Sequence, residues 1–413
     1  MRNRVISNTL LDKSNTRFGR ILVVTGARQT GKTTLVKQIF PNYPYISIED
    51  PVTVEQYKSL TAAQWESIYP TAILDEVQKE PQLIESIKSV YDQFPEPRYI
   101  LLGSSQIMLL KKIRESLAGR CQIIEMYPLT LPELMTNSWN DEVQLSYFQK
   151  LILSRDVDNL PFLLDANHVK KLKVFNDYLK FGGYPAISDT DIPENEKYDW
   201  LNNYVRTYLE RDIRDLAELR KLEPFVKTQK LMAINTGQLT NNSQIAVEAR
   251  VTSKTVQRFI EYMNISYQTL VLQPWSRNSK KRLVKSPKVH FMDVGVLRAI
   301  LQKQGELNGH EFESTIVTEI YKQIKTINFA AQVYHLRTSD GREVDLLIET
   351  EKGYIAIEIK KSTAVRSVDA KHLKNLEDIL DKPILHKIVL SNDINIRNVG
   401  EGVIAIPAVK FLT

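Results

Sequence analysis

Two glycines, a lysine and a threonine near the start of the chain have the types and spacing needed to hold phosphate. The stretch TGARQTGKTTL contains the pattern G-x-x-x-x-G-K-T, with Gly26, Gly31, Lys32 and Thr33 at its fixed positions. Glycines let the backbone curl so that successive N–H groups face one concavity, Lys32 can reach the β- and γ-phosphates, and Thr33 can hold Mg²⁺. The alternative is an ordinary glycine-containing turn, which does not require all four positions. The pattern predicts a nucleotide-binding loop made of Gly26, Ala27, Arg28, Gln29, Thr30, Gly31, Lys32, Thr33 and Thr34.

Two carboxylates follow a short apolar run further along the chain. In YPTAILDEVQKEPQL the run ends in Asp75 and Glu76, which is typical of a buried parallel strand that ends in acidic residues. We expect Asp75 to bind Mg²⁺ through its hydration shell and Glu76 to polarise the water that attacks the γ-phosphate. The pair could instead cap the helix predicted in EPQLIESIKSVYDQF. Together with the upstream loop, these carboxylates predict ATP hydrolysis.

Four charged residues near the C-terminus form a second candidate site. GREVDLLIETEKGYIAIEIKKS consists of two alternating apolar strands around the turn TEKG, which predicts a β-hairpin. The register of this hairpin places Asp345 opposite Glu358 and Glu343 opposite Lys360. Two opposed carboxylates repel each other, and a divalent cation such as Mg²⁺ or Mn²⁺ would remove that conflict. The alternative is a cross-strand ion pair between Glu343 and Lys360, with Asp345 at a solvated edge.

The elements around the first site are predicted to be strand, helix and strand, in RYILLGSSQIMLLKKIRESLAGRCQIIEMYPL. Ser104 ends the first of these strands, where its hydroxyl could sense the γ-phosphate or simply cap the following helix. Arg120 comes just before the second strand. On sequence alone it could also be a surface arginine without a partner.

The order of these features resembles that of AAA-type ATPases. A Walker A loop, a Walker B strand, a polar strand end and an arginine before the next strand occur in the same order. In that superfamily an arginine at the place of Arg120 often reaches the nucleotide of a neighbouring subunit, which implies a homo-oligomer. SLAGR followed by YPLTLPEL, together with FGGYP and RDI, is similar to one AAA family in particular. Its members carry a C-terminal domain of unknown function that resembles PD-(D/E)XK nucleases.

The same resemblance gives roles to the hairpin residues. The D…E-x-K pattern of Asp345, Glu358 and Lys360 is the core signature of PD-(D/E)XK nucleases, and its spacing is similar to that of archaeal Holliday-junction resolvases. Upstream, GHEFESTIVTEIYKQ offers Glu313 or Glu319 on a helix, and the resemblance favours Glu313. It implies that Glu313, Asp345 and Glu358 bind Mg²⁺ or Mn²⁺ and that Lys360 takes part in catalysis. A nuclease fold that keeps these residues without cleaving DNA is also compatible with the spacing.

A further group of residues predicts contact with DNA. Two predicted helices flank a short turn at Val251 and Thr252, and the second helix begins at Ser253, which is helix-turn-helix spacing. The apolar contacts of this unit are predicted to be Ile245, Ala246, Val256 and Ile260. Two strands joined by SRNSKKRLVKSP would complete a winged helix with a basic wing. The residues that would then face phosphate are Lys254, Arg258, Lys280, Lys281 and Arg282. The alternative is a packing module with an exposed basic hairpin.

The length of 413 residues exceeds that of a single core, so several domains are expected. We predict an α/β protein with an AAA-type P-loop ATPase core at 1–128 and a helical lid at 129–221, interrupted by FGGYP. A winged-helix unit would follow at 222–295. A C-terminal α/β domain resembling PD-(D/E)XK nucleases would occupy 309–413.

Composition narrows the choice of compartment and partners. A net charge of +6 is compatible with nucleic acid, but it is a mild excess over this length. The single cysteine, Cys121, excludes a disulfide framework within the chain and suits a reducing cytosol. No apolar run approaches the roughly 18 residues of a membrane span, and MRNRVISNTLLDKSNTR lacks the apolar core of a signal peptide. We therefore expect a soluble, cytoplasmic protein.

Two functions remain open at this point. In the first, ATP binding and hydrolysis control a metal-dependent DNA endonuclease that is guided by the winged helix. In the second, the chain is an ATP-switched DNA-binding or protein-interaction module whose nuclease-like domain does not cleave. The opposed hairpin carboxylates favour the first, with ATP, Mg²⁺ and DNA as ligands.

Overall fold

A computed structural model describes residues 1–103, 115–153, 165–209, 222–277, 286–338 and 341–413. Four of the predicted site residues, Ser104, Lys280, Lys281 and Arg282, lie outside these ranges. None of the described helices is both long enough and apolar enough to cross a membrane.

The first part of the chain forms a five-stranded parallel sheet with the strand order β2–β3–β4–β1–β5. Its strands are β1 (Ile21–Gly26), β2 (Tyr45–Ser47), β3 (Thr71–Asp75), β4 (Arg98–Gly103) and β5 (Cys121–Met126). Side chains of β1 alternate between two cores, with Ile21 and Val23 in one and Leu22 and Val24 in the other. Because both faces of the sheet are buried, its central strand is an unbroken apolar run.

Helices cover both faces of this sheet. They are α1 (Ile6–Ser14), α2 (Lys32–Ile39), α3 (Pro51–Ser59), α4 (Ala62–Ile68) and α5 (Pro81–Gln93). The predicted phosphate-binding loop connects β1 to α2, and the predicted acidic pair follows the last apolar residues of β3. Both predictions of local structure are confirmed.

The next segment is helical, as predicted. It contains α6 (Leu131–Leu134), α7 (Tyr147–Leu153), α8 (His168–Phe181) and α9 (Glu194–Tyr204), the last continued by a π-helical turn at Val205–Leu209. The FGGYP sequence ends α8, because Gly182 adopts a φ of +75° that ordinary side chains rarely allow.

A helix-turn-helix follows at the predicted position. After α10 (Glu223–Ile234), it consists of α11 (Asn242–Ala249) and α12 (Ser253–Ile265), and both α10 and α13 (Val294–Leu301) share its apolar cluster. Thr252 caps α12 by accepting a hydrogen bond from the backbone N–H of Thr255 at 3.1 Å. The predicted apolar contacts Ile245, Ala246, Val256 and Ile260 are buried in one cluster.

A second sheet of eight strands occupies the C-terminal half, in the order β12–β13–β11–β10–β9–β8–β6–β7. Its strands are β6 (Thr269–Pro274), β7 (Lys288–Phe291), β8 (Gln332–Arg337), β9 (Glu343–Glu349), β10 (Tyr354–Lys360), β11 (Ile384–Ser391), β12 (Arg397–Gly400) and β13 (Val403–Pro407). The helices α14 (Gly309–Thr326) and α15 (Ala408–Leu412) contribute to the core on one of its faces. Since β6 pairs with β8, the segments predicted as separate units at 222–295 and 309–413 share one sheet.

The predicted hairpin register is confirmed between β9 and β10. Glu349 pairs with Tyr354 and Leu346 pairs with Ile357, as the turn TEKG requires. The ladder ends there, and the side chain of Asp345 accepts the backbone N–H of Ile359 at 2.8 Å instead. Asp345 is thereby turned into the sheet edge rather than out to solvent.

Candidate functional site

The phosphate-binding loop is held against the neighbouring strand by a close backbone approach. A Cβ atom on Gly26 would lie 2.1 Å from the carbonyl oxygen of Met126 on β5, so no other residue fits at this position. Gly31 forms the N-cap of α2 with a φ of +87°. The loop therefore ends at the N-terminus of a helix, where the backbone N–H groups and the helix dipole favour phosphate.

Lys32 lies inside the loop that it is predicted to serve. Its side chain is buried, and the ammonium donates to the carbonyl oxygens of Gly26 at 2.9 Å and Ala27 at 2.7 Å. The hydroxyl of Thr30 donates to the same Ala27 carbonyl at 2.9 Å. These bonds hold the cation over the concavity in which the β- and γ-phosphates are expected.

Thr33 and Asp75 meet at the carboxyl edge of the sheet. The Thr33 hydroxyl donates to Asp75 Oδ2 at 2.7 Å, and the Tyr45 hydroxyl donates to the same oxygen at 2.9 Å. Hydroxyl and carboxylate oxygens are the ligands that Mg²⁺ prefers, so Thr33 and Asp75 fit the ion that the sequence predicts there. When bound, the ion would neutralise phosphate charge.

Tyr45, whose hydroxyl also donates to Asp75, was not identified from the sequence. Partial desolvation and the nearby Asp75 carboxylate raise the pKa of Tyr45 to about 12. The ammonium of Lys37 lies 3.2 Å from the centre of the Tyr45 ring. No local signal marks this role, because parallel pairing of β2 with β3 brings Tyr45 to the site.

Glu76 lies at the same edge, immediately after β3. Its backbone adopts a left-handed φ of +57°, and its N–H donates to Asp75 Oδ1 at 3.0 Å. Glu76 Oε2 accepts a hydrogen bond of 2.5 Å from the buried amide of Gln78, which the sequence analysis did not identify. The carboxylate predicted to activate water is thus positioned by a neighbour two residues away.

A cavity of about 660 Å³ adjoins the loop, a size suited to a small-molecule ligand. Thr30, Gly31 and Thr34 line one side of it, and Pro185 from FGGYP lines another. The buried Arg4 donates to the carbonyl oxygens of Thr30 at 3.1 Å and Tyr127 at 2.7 Å and thereby supports this wall. Nothing in its local sequence distinguishes Arg4 from an ordinary surface arginine.

Arg120 lies at the opposite edge of the sheet from the loop. It precedes β5, whose first residue pairs with the first residue of β1. Gly26 is the sixth residue of β1, five steps from that edge, which is a length of roughly 17 Å. The Arg120 guanidinium pairs with both oxygens of Asp92, at 2.7 and 3.1 Å. Arg120 therefore does not reach the phosphate-binding loop of its own chain.

The second candidate site is a buried cluster of charges between α14, β7 and β9. The ammonium of Lys288, on β7, lies 2.7 Å from Glu313 Oε1, 2.7 Å from Glu343 Oε1 and 3.8 Å from Asp345 Oδ1. Lys288 was not identified from the sequence. In KVHF it alternates with Val289, which predicts a shared face with His290 but not what that face contacts.

The Lys288 charge and burial act in opposite directions on the pKa values of the carboxylates in this cluster. Burial raises the pKa of Glu313, but the His310 ring 3.6 Å away and the charge of Lys288 outweigh it and lower the pKa to about 2. Burial lowers the pKa of Lys288, but Glu313, Asp345 and Glu343 raise it above its ordinary value. Burial and the neighbouring carboxylates Glu313 and Glu358 raise the pKa of Asp345 well above its ordinary value.

The cross-strand ion pair that the sequence left open as an alternative is absent from the described residues of this cluster. Glu343 pairs with Lys288 rather than with Lys360, and Lys360 instead pairs with Glu358 on its own strand, at 2.6 Å. The described residues contain no group of three His, Cys, Asp or Glu side chains arranged to hold a metal ion. The Lys288 ammonium lies among Glu313, Glu343 and Asp345, and the assignment of Glu313, Asp345 and Glu358 as metal ligands stays a prediction.

Glu319, the alternative to Glu313, has a different place. It accepts the backbone N–H of Leu131 at 2.8 Å and contacts the buried Lys322 at 3.0 Å, so it joins α14 to α6.

Of the residues predicted to face DNA, Lys254 and Arg258 are exposed on α12.

Three segments of the chain match protein families. Residues 19–135 match the AAA domain family, residues 172–307 match a domain of unknown function (DUF8612), and residues 308–411 match another domain of unknown function (DUF4143). The first segment contains all five strands of the parallel sheet and the Thr33–Asp75 pair. It is an AAA-type P-loop ATPase domain, which supports ATP binding and hydrolysis and confirms that part of the sequence prediction.

Relatives extend this similarity over the chain. An uncharacterized protein of Mycobacterium tuberculosis is 25% identical over 410 residues, covering 95% of this chain and 81% of the relative. An uncharacterized protein of Methanocaldococcus jannaschii is 23% identical over 395 residues, covering 91% and 82%. Among solved structures, a Walker-type ATPase of Pyrococcus abyssi aligns with a TM-score of 0.45 and 14% identity, over 71% of this chain and 94% of that one.

Proposed function

We propose that the chain is an ATP-hydrolysing switch whose nucleotide state controls how its C-terminal half contacts DNA. The observation that carries the proposal is the meeting of Thr33, Asp75 and Glu76 at one edge of the sheet, beside the phosphate-binding loop. A hydroxyl, a carboxylate and a second carboxylate in this order are the groups that P-loop hydrolysis needs.

The hydrolysis step follows from these positions. Glu76 orients a water molecule and takes up its proton as the water oxygen bonds to the γ-phosphorus. The bond between the γ-phosphorus and the β–γ bridging oxygen breaks, and ADP leaves with the bridging oxygen. Lys32 and the loop N–H groups offset the negative charge that develops on the phosphoryl oxygens.

A chain of hydrogen bonds supports coupling between this site and the rest of the molecule. The Tyr204 hydroxyl donates to the carbonyl oxygen of Arg28 in the loop at 3.2 Å and lies 2.9 Å from the Tyr184 hydroxyl. Next to Tyr184, the backbone N–H of Gly183 donates to Asp293 Oδ2 at 2.8 Å. Asp293 is the N-cap of α13, so a change in the loop has a short route to the helix-turn-helix.

DNA contact is proposed through α12, the second helix of the helix-turn-helix. Lys254 and Arg258 are four residues apart and both exposed, so they project from one face of that helix. A second helix with exposed basic residues is the usual means by which this motif meets the DNA backbone.

Between the two functions left open by the sequence, the charge cluster favours the one without cleavage. A metal-dependent nuclease needs free carboxylate oxygens, whereas Glu313 and Glu343 each contact the Lys288 ammonium at 2.7 Å. We therefore propose that the C-terminal half grips DNA or a partner and that ATP turnover regulates this grip.

The test compares Lys32→Ala with Glu76→Gln. Lys32→Ala should weaken ATP binding because it removes the phosphate-binding cation. Glu76→Gln should bind ATP normally and stop turnover because only water activation is lost. DNA affinity, measured by fluorescence anisotropy on duplex DNA, should differ between ATP-bound Glu76→Gln and the ADP-bound wild type.

The double variant Lys254→Ala, Arg258→Ala is the control for the DNA contact. It should lower affinity for all duplex sequences and flatten the dependence of log affinity on log salt concentration, while ATP turnover without DNA stays unchanged. Equal ATP turnover by the wild type and Glu76→Gln would refute the assignment of the hydrolytic site. DNA affinity that does not depend on the bound nucleotide would refute the switch. DNA affinity that is unchanged in the double variant would refute the contact through Lys254.

A further inference from the structure

Lys288 lies where the resemblance to nucleases predicts a metal ion. Its side chain is only 2% exposed, and its ammonium contacts Glu313 and Glu343 at 2.7 Å and lies 3.8 Å from Asp345. Glu313 and Asp345 are two of the three residues predicted to hold the metal. In this arrangement the carboxylates do not fit a divalent cation, because a positive charge already lies between them.

We propose that Lys288 is the resident cation of this cluster, and that the carboxylates become a divalent-cation site only when its ammonium is removed. The charges carry the argument. A buried ammonium is costly unless it is paired, and buried carboxylates are costly without a cation. Lys288 pairs with Glu313 and Glu343, and Arg337 lies 3.5 Å from the other oxygen of Glu343, so side chains of the chain itself supply the positive charge of the cluster.

The carboxylates would still offer oxygen ligands once the ammonium is gone. Glu313 comes from α14, and Glu343 and Asp345 come from β9, so replacing Lys288 on β7 leaves all three carboxylates in the chain. Nearby, the buried Glu358 Oε2 has no hydrogen-bond partner among the described residues. Hard cations such as Mn²⁺ and Mg²⁺ prefer several such oxygens from different elements.

The cation and the carboxylates also belong to different parts of the chain. Lys288 is the first residue of β7, which pairs with β6 after the helix-turn-helix. The ion pair between Lys288 and Glu313 therefore attaches the β6–β7 hairpin to α14. The same ammonium lies among the carboxylates of the cluster. This inference extends the proposed non-cleaving function. Its test measures metal binding and not DNA affinity, so the Lys288 proposal and the proposed function can each fail while the other stands.

The test is the effect of Mn²⁺ on thermal melting without nucleotide. Lys288→Met keeps an apolar stem of similar length and removes the charge, so it should melt at a lower temperature than the wild type. Mn²⁺ should raise the melting temperature of Lys288→Met by more than that of the wild type, because the ion replaces the lost ammonium. Adding Glu313→Gln to Lys288→Met should abolish the extra shift.

Lys322→Met is the matched control. Lys322 is also fully buried and contacts a carboxylate, Glu319, at 3.0 Å, so its loss should lower the melting temperature without any gain in Mn²⁺ response. A folded Lys288→Met protein with the same Mn²⁺ shift as the wild type overturns the proposal.

A second comparison does not depend on the folding of Lys288→Met. Wild type and Glu313→Gln should respond equally to Mn²⁺, since neither holds the ion at this cluster. A wild-type Mn²⁺ shift that disappears in Glu313→Gln would overturn the proposal, because the ion would then bind beside Lys288 or displace it.

Discussion

His290 is a buried histidine next to the charge cluster around Lys288. It follows Lys288 on the same face of β7 and is fully buried, and neither ring nitrogen has a hydrogen-bond partner among the described residues. Burial lowers the pKa of His290 to about 3, and the positive charge of Lys288 opposes protonation further, against the attraction of Glu313. His290 is therefore neutral in the folded protein at every ordinary pH.

The first prediction is a loss of stability on acidification that begins well above the pKa of carboxylates. In the unfolded chain His290 takes up a proton near pH 6.5, whereas in the folded protein it does so only near pH 3. Between these values the unfolded state binds more protons, so the free energy of unfolding falls by up to about 1.4 kcal/mol per pH unit. His290→Leu should flatten this slope in urea unfolding curves measured from pH 7 to pH 5.

His310 provides a control of opposite sign. The Glu313 carboxylate, 3.6 Å from its ring, raises the pKa of His310, so its contribution to stability is present below pH 6.5 and is lost as the pH rises through its folded value. His310→Gln should therefore steepen the acid slope, whereas His290→Leu flattens it. Identical slopes in all three proteins would contradict the roles of both histidines.

At the scale of elements, the FGGYP turn is the junction between the ATPase core and the helix-turn-helix. Asp293 Oδ1 accepts the N–H groups of Gly295 and Val296 at the start of α13, while Oδ2 accepts that of Gly183. From the other side, the backbone N–H of Leu129 donates to the carbonyl oxygen of Gly183 at 2.7 Å. One buried carboxylate and one glycine thus connect three segments of the chain.

The second prediction is that Gly182→Ala disrupts this junction. A Cβ on Gly182 would lie 2.1 Å from Asp293 Oδ1, and the φ of +75° is unfavourable for alanine. We expect a loss of about 2 kcal/mol or more in the free energy of unfolding, together with weaker dependence of DNA affinity on nucleotide. Both can be measured on the purified variant, by urea unfolding and by anisotropy.

Gly305→Ala is the matched control for this prediction, since a Cβ there meets no atom within 4 Å. Its unfolding free energy should stay within about 0.5 kcal/mol of the wild type. If Gly182→Ala behaves like Gly305→Ala, the turn does not constrain the junction.

The same elements show how far the sequence could predict this molecule. The loop between β1 and α2, the end of β3 at Asp75 and the register of the β9–β10 hairpin were predictable because each depends on residues that are close in sequence. Lys288, Tyr45 and Arg4 were not, because each reaches its site through pairing or packing between distant segments. The hairpin considered alone contains Glu343, Asp345 and Glu358 but not Lys288, the lysine that pairs with Glu343.

At the scale of the whole molecule, Arg120 lies at the edge of the first sheet that is far from the nucleotide site of its own chain. Its pair with Asp92 is about one-third exposed on each side, and such surface pairs contribute little to stability. An arginine at the edge of the sheet opposite the phosphate-binding loop can act on a nucleotide only if a neighbouring copy of the chain presents that nucleotide. A homo-oligomer in which Arg120 completes the site of the next subunit stays a prediction, and the alternative is a surface pair with Asp92.

The last prediction tests this arrangement by mixing two variants. Arg120→Ala should be folded and inactive because it lacks the cation for its neighbour's transition state, and Glu76→Gln should be inactive because it lacks its own water-activating group. In a mixture, a subunit that keeps Glu76 can meet a neighbour that keeps Arg120, so part of the wild-type ATP turnover should return. Asp92→Asn is the control, because it releases Arg120 without removing it and should remain active. No recovery in an oligomer shown to exchange subunits, or full ATP turnover by Arg120→Ala alone, would show that Arg120 is only a surface partner of Asp92.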